Sequence, residues 1–454
     1  MGNTAEIIDT FTGPVFRPGD SGYDEEIAGF QAAYHHRPAL VVGAVHAEDV
    51  RGAVEYAARH GLPVAVQATG HGLSVAADGG VLISTRRMTD LRIDPQTRTA
   101  RVGAGVRAGA LVEAAAPCGL APLNGSSPSV GVVGYSLGGG LGLLARQFGY
   151  AAEHVRVIEI VTADGRVRTL TPDDELFGAV LGSGGNFGVV TALELELVPV
   201  ATVYGGQLVF DTPLVEQALE AWKDWTATLP DEVTSTVTVM TFPPIPQISE
   251  PLRGRHVASI RIAYNGSAED GERLVAPLRA VGDRLKDDLR VMPYTESHTI
   301  HSDPDHPHAY AATNALLGEL TGETLSALRT ATGPESPIQA VVDIRHLGGA
   351  LGRRGPTNIA VDNRDAEYIV RVITMPGPDA GDAAPEDHAV VRAALAPWTV
   401  GHNLNFLYGA GAAADEAQTR GGYAPDTYAH LSVLKAKYDP RNMFRFNRNI
   451  TPAN

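Results

Sequence analysis

Leu62-Pro63-Val64-Ala65-Val66-Gln67-Ala68-Thr69-Gly70-His71-Gly72 is a short apolar strand that runs into a loop with almost no side chains. Such a loop lets backbone N–H groups approach a large anionic ligand closely, because no Cβ stands in the way. One imidazole, His71, is placed to lie against whatever the loop holds. Taken alone, a histidine in a glycine turn reads as a hydrogen-bonding loop residue, and only the surrounding chain gives it more weight.

The 454 residues exceed one core of ordinary size, so two domains are expected. Hydrophobic residues at 44% and charged residues at 19% describe a globular chain, not a disordered one. The 50 glycines cluster at 103–109, 131–149 and 182–188, which points to close backbone approach at particular sites. A net charge of −16 argues against a nucleic-acid partner or an anionic membrane surface. Local backbone dipoles in a buried site can still hold phosphates. The start, Met1-Gly2-Asn3-Thr4-Ala5-Glu6, has neither a basic n-region nor an apolar h-region, and no apolar run reaches membrane-spanning length. A cytoplasmic location is the expectation. The single cysteine, Cys118, excludes an internal disulfide or a cysteine metal cluster, and its neighbours Ala114-Ala115-Ala116-Pro117 suggest a packed helix end.

Residues 39–196 read as short alternating strands and helices. Strands are expected at Ala39–Gly43, 63–67, 80–84, Val155–Thr162, Val167–Leu170 and Val189–Leu197, with a hairpin joining Leu91–Asp94 to Thr99–Val102. Helices are expected at Ala47–His60, Gly105–Cys118 and about 141–147. After Pro199 longer alternating strands appear at Gly206–Phe210, Thr234–Met240, His256–Tyr264, Ala340–His346 and Tyr368–Thr374. Helices near 213–227, 268–281 and 385–397 separate them, which suits an antiparallel sheet with helices on one face. Pro376–Gly381 reads as an exposed loop, Asn403–Tyr408 as a strand and 425–437 as a helix. The expected organisation is a first domain over 1–198, an inserted α+β substrate domain over 199–401, and a return to the first domain over 402–454.

The run Gly125-Ser126-Ser127-Pro128-Ser129-Val130-Gly131-Val132-Val133-Gly134-Tyr135-Ser136-Leu137-Gly138-Gly139-Gly140-Leu141-Gly142 superficially mimics a dinucleotide fingerprint. Pro128 and the density of glycines leave no strand before the turn, and Gly103-Ala104-Gly105-Val106-Arg107-Ala108-Gly109 misses the spacing. A third cluster, Gly182-Ser183-Gly184-Gly185-Asn186-Phe187-Gly188-Val189-Val190, precedes the last strand of the first domain. Three glycine loops and one histidine loop imply a long ligand touched by backbone along its length. Flavin adenine dinucleotide has that extent.

These motifs, with the tail Lys437-Tyr438-Asp439-Pro440-Arg441-Asn442-Met443-Phe444-Arg445-Phe446-Asn447-Arg448-Asn449-Ile450, resemble the p-cresol methylhydroxylase and vanillyl-alcohol-oxidase type of FAD-binding proteins. The resemblance covers nearly the whole chain and is specific to the berberine-bridge-enzyme-like branch, closest in pattern to the 6-hydroxy-D-nicotine oxidase type. It implies an α+β fold: a two-part FAD-binding domain with an inserted antiparallel-sheet substrate domain. It implies FAD joined covalently through His71. Ser127 stands where many relatives carry a second attaching cysteine, so a single bond is implied. Val130 matches the position at which a small residue accompanies dioxygen use. Thr69, Gly70, Gly72, Gly131, Gly134, Gly138, Gly139, Gly142, Gly185, Asn186, Gly188, Val190, Asn405, Asn447 and Asn449 are the other cofactor-contacting positions it implies. The arginine usual in the His71 loop is replaced by Gln67-Ala68-Thr69, leaving backbone donors more of the pyrophosphate to bind.

The implied chemistry is hydride transfer from a C–H bond next to oxygen or nitrogen of a small organic substrate, with dioxygen reoxidising the cofactor. A dehydrogenase using another acceptor, or an FAD protein with a non-redox cyclase role, are the alternatives. Tyr423, in Arg420-Gly421-Gly422-Tyr423-Ala424-Pro425, is the candidate base, with packing against the flavin an equal reading. In Val341-Val342-Asp343-Ile344-Arg345-His346, alternation puts Asp343 and Arg345 on one face and His346 on the other, and all are candidate substrate residues. A surface pair of Asp343 and Arg345 is the plainer reading. His301-Ser302-Asp303-Pro304-Asp305-His306-Pro307-His308 has no metal-ligand periodicity and reads as an exposed loop near the substrate entrance. No metal is expected.

Overall fold

A computed structural model of the chain describes residues 11–355, 357–375, 383–408 and 416–454, so the loop expected at Pro376–Gly381 lies outside the described residues. Strands β2 (Leu40–Gly43), β3 (Val64–Gln67) and β4 (Val81–Ser84) form a parallel trio in the order β2-β4-β3, and β1 (Val15–Phe16) pairs antiparallel on the outer edge of β2. The helix Ala47–His60 makes the crossover from β2 to β3, which a parallel connection requires. Its start is capped by His46, which accepts from the Asp49 N–H, and Gly61 ends it at φ 65°. Val50, Ala53, Val54 and Ala57 form its buried stripe. Parallel β3 therefore ends at Gln67 and delivers the His71 loop at the carboxyl edge of its sheet.

A five-stranded antiparallel sheet stands beside it, in the order β5 (Leu91–Asp94), β6 (Thr99–Gly103), β9 (Val189–Glu196), β7 (Val155–Val161), β8 (Val167–Leu170). The long glycine run does not wait until 141 to become helical. Its helix is Val132–Leu137, inside the run, followed by a short one at Ala145–Phe148. Val132, Val133, Ser136 and Leu137 share a buried face, and the Ser136 hydroxyl donates to the Val132 carbonyl. Gly139 and Gly140 then take φ values of 101° and 75° that only glycine adopts freely, which stops it.

Residues 202–401 supply a nine-stranded antiparallel sheet. Its strands are β10 (Thr202–Phe210), β11 (Val233–Thr241), β12 (His256–Tyr264), β13 (Lys286–Asp287), β14 (Arg290–Pro293), β15 (Ala311–Leu317), β16 (Ala340–His346), β17 (Tyr368–Thr374) and β18 (Thr399–Gly401). Helices Val215–Thr226, Ala268–Arg279, Gly322–Thr332 and Ala383–Leu395 cover one face, where Trp222, Leu278, Leu328 and Leu395 join a core with Val237, Ile260, Ile344 and Val370. By alternation the odd positions of β16 and β17, including Asp343, Arg345 and Arg371, point to the opposite face, toward the first two sheets. Asn403–Tyr408 is not a strand. Leu404–Phe406 is one 3-10 turn begun by the Asn403 side chain, which accepts from Asn405 N, and only Tyr408 bridges to Ala312. The helix Pro425–Tyr438 returns to the core of the first sheets through Tyr428, Leu431 and Leu434. No described helix is long and apolar enough to cross a membrane.

Candidate active site

His71 is held on three sides. Its Nδ1 lies 3.0 Å from Thr69 Oγ1, its Nε2 lies 3.0 Å from Ser129 Oγ, and its ring stacks on Phe30 at 3.8 Å and 12°. Ser129 is in turn 2.9 Å from Ser127 Oγ, and the Tyr310 hydroxyl donates to the His71 carbonyl. Burial and the nearby Arg107 push the imidazole pKa down to about 4. At neutral pH the ring is therefore uncharged and keeps a nitrogen lone pair.

The glycines fall into two groups. A Cβ at Gly72, Gly134 or Gly185 would meet nothing within 4 Å, and at Gly131 it would only touch the side chains of Ala68 and Thr69. These border open space, Gly72 and Gly131 at the His71 loop itself. At Gly138 a Cβ would come 1.7 Å from Asn405 Oδ1, at Gly142 2.6 Å from the Asn124 carbonyl, at Gly188 2.4 Å from the Val161 carbonyl, and at Gly139 2.9 Å from Val361. Gly70, at φ 71°, would place one 2.6 Å from Gly29 Cα. In this second group the close neighbour is protein. Beside Gly185, Asn447 Oδ1 is buried without a hydrogen-bond partner, as is Asn449 Oδ1 two residues on. Unmet buried polar atoms beside open, glycine-lined space are what a bound polar cofactor would satisfy.

The sheet face opposite this loop carries a buried charged group. Asp343 is 3% exposed and Arg345 8%. Arg345 Nε donates to Asp343 Oδ1 at 2.9 Å, Arg371 Nε lies 3.3 Å from the same oxygen, and the Thr238 hydroxyl donates to Oδ2 at 3.2 Å. Both guanidiniums lie over the Phe406 ring, at 5.2 and 4.5 Å. Burial works against the Asp343 charge, but Arg371 and Arg345 outweigh it and hold the carboxyl well below the usual range. The plain reading of a surface pair is thus wrong: alternation placed the two together, and the domain contact buries them. The loop after His301 completes the group. His301 is itself buried, which corrects its assignment to an exposed loop, and Asp303 accepts from the Ser126 hydroxyl of the glycine run.

Residues 38–171 match a family described as FAD binding domain, and residues 422–451 one described as berberine and berberine like. The chain is 29% identical to (R)-6-hydroxynicotine oxidase of Paenarthrobacter nicotinovorans, over 97% of each chain. It is 25% identical to an FAD-linked oxidoreductase of Dictyostelium discoideum, over 98% of this chain and 96% of that one. The crystal structure of 6-hydroxy-D-nicotine oxidase from Arthrobacter nicotinovorans superposes with a TM-score of 0.83 at 27% identity, covering 98% of both chains. The chain is an FAD-dependent oxidoreductase, similar over nearly its whole length to these FAD-linked oxidases.

FAD fits at the open group of glycines and the unmet atoms of Asn447 and Asn449. At other positions expected to touch it, the side chain is also engaged within the protein. Asn186 is fully buried, its amide donates to the Ser183 and Arg448 carbonyls, and its Oδ1 accepts from Ile450 N, so its side chain is used up by protein. Val190 is a core residue of β9. Asn405 donates to the Tyr135 carbonyl at 3.0 Å and ties the two halves together. Val130 is half-buried and lines a small cavity with Leu111, Leu123 and Tyr135. Tyr423 is 5% exposed, and its hydroxyl donates to the Gly182 carbonyl at 3.1 Å. Burial pushes its pKa up, the wrong direction for a base, which favours the packing reading. His346 faces away from the charged group, 3.0 Å from Arg146 Nη1 and stacked on Tyr368, and it serves the contact between the sheets. Cys118 is exposed, not packed. Sequence reading missed Phe30, Ser129, Arg261, Tyr310 and Arg371. Arg261 and Arg371 were visible as charges inside alternating strands, a signal that marks a polar sheet face needing a partner.

Proposed function

We propose that this flavoprotein is an oxidase of a small polar organic substrate, with FAD attached through His71 alone and dioxygen as the acceptor that yields hydrogen peroxide. Bound FAD supplies a two-electron acceptor for a C–H bond next to oxygen or nitrogen. The observation that carries the reading is the neutral His71, fixed by Thr69, Ser129 and Phe30 at the mouth of the open glycine cradle. An uncharged imidazole is the nucleophilic form, which suits a covalent attachment point. Ser127 lies two hydroxyls away from it and offers no thiolate for a second bond. On the facing sheet Asp343 orients Arg345 and Arg371, and being so acidic it holds charge there without taking a proton. The cavity beside Val130 is lined largely by apolar side chains, which supports access for dioxygen. The naming of the 29% identical relative as an oxidase supports it also.

Acid precipitation tests the attachment: yellow colour is expected in the pellet of the parent and in the supernatant of His71→Ala. Flavin released wholly from the parent would refute the covalent bond. A peroxide-coupled assay across alcohols, amines and hydroxylated heteroaromatics tests the oxidase. Flavin reduction without peroxide, relieved only by a dye acceptor, would make the protein a dehydrogenase.

A further inference from the structure

The charged face holds more positive charge than its own carboxylates neutralise. Arg261, Arg345 and Arg371 converge there, and Asp343 is shared between Arg345 and Arg371. Arg261 has the Thr238 hydroxyl as its hydrogen-bond partner, its Nε is buried without one, and no described carboxylate lies within ion-pair distance. Asp303, which acts on Arg261 from farther off, is engaged by Ser126. His301 beside them is kept neutral by burial and by Arg261. Three guanidiniums against two carboxylates leave an excess of one positive charge. A buried cation without a counterion is costly, and proteins keep one where a ligand supplies the missing charge. The guanidinium fork matches a carboxylate in particular, and a single excess charge suits a monoanion better than a phosphate dianion.

We propose that the substrate of this site carries a carboxylate, bound by Arg261 and Arg371 on the sheet face opposite His71, while Asp343 fixes Arg345 in place. The proposal rests on the reading of this pocket as the redox site and names the class of molecule that enters it. It places the oxidised C–H bond in a molecule whose other end is anionic, so neutral alcohols and amines of the same shape are poor substrates.

The test uses the flavin-loaded protein and three matched pairs: benzoate with benzamide, phenylacetate with phenylacetamide, and nicotinate with nicotinamide. Each is titrated while the visible flavin spectrum is followed. At least one acid is expected to bind about tenfold or more tightly than its amide. Arg261→Gln is expected to erase that preference by weakening acid binding about tenfold, and Arg261→Lys to restore part of it. Retained flavin colour and elution volume show that each variant is folded. Equal affinity for acid and amide, no spectral change with any acid, or an Arg261→Gln variant that still prefers the acid would each overturn the proposal. Peroxide formation is read separately. Acid preference without peroxide from any substrate would keep the anion site and sink the oxidase, whereas peroxide from neutral substrates without acid preference would do the reverse.

Discussion

Ser129 sits between His71 Nε2 at 3.0 Å and Ser127 Oγ at 2.9 Å, so one small hydroxyl sets the imidazole plane and links it to Ser127. Ser129→Ala removes that contact while Thr69 keeps the other. The expected result is a smaller share of acid-stable flavin in the pellet, at a cost of about 1 kcal/mol in a urea melt. An unchanged pellet fraction would assign orientation to Thr69 and Phe30 alone. His71 and Ser127 were legible because they stand in recognisable motifs. Phe30 and Tyr310 were not, because each reaches His71 from a distant part of the chain, and no local spacing announces a stack or a hydroxyl–carbonyl bond of that kind.

At the scale of elements, the glycine run is a helix wrapped in close approaches. Its glycines look alike in sequence, yet Gly138 abuts Asn405 and Gly134 faces open space. Gly138→Ala is expected to destabilise the protein by roughly 1–3 kcal/mol, since the Asn405 amide must leave the Tyr135 carbonyl. Gly134→Ala, within the helix Val132–Leu137, is expected to stabilise the apoprotein by about 0.5–1 kcal/mol and to lower the flavin content on purification. Unchanged flavin content would show that the helix turns this position to solvent. The crossover helix and the long strands were readable from periodicity because a single apolar stripe or alternation runs through each. The strand Ala311–Leu317 and the helix Val132–Leu137 escaped for the same reason in reverse. The first is buried at every position, and the second is too short and glycine-flanked to show a period.

Over the whole molecule, two features set stability. His71, His346 and His388 have pKa values lowered to about 4, 3 and 4, chiefly by burial and further by Arg107, Arg146 and Arg392. In the unfolded chain each takes a proton near pH 6.5. Between about pH 6.5 and 4 the unfolded state therefore binds more protons, and stability falls as pH falls through that window. The melting temperature is expected to drop across it, and His388→Gln, which keeps a polar partner for Thr374, is expected to flatten the slope. A slope unchanged by that variant would place the acid sensitivity elsewhere. The second feature is Lys435, fully buried, which donates to the Asn186 carbonyl at 2.6 Å, Asp439 Oδ2 at 2.8 Å and the Phe444 carbonyl at 3.0 Å. Lys435→Met strands the Asp439 carboxylate and is expected to cost about 3–5 kcal/mol in a denaturant melt.

The same lysine also bears on the order of events in the cell. The loop around Asn186 is stitched by residues 435, 448 and 450, and Val64 N of β3 donates to the Met443 carbonyl. A ribosome that has made the first four hundred residues has made a flavin cradle with one wall unfastened. Cofactor capture must then follow synthesis instead of accompanying it, and a nascent chain stalled before residue 435 should emerge colourless.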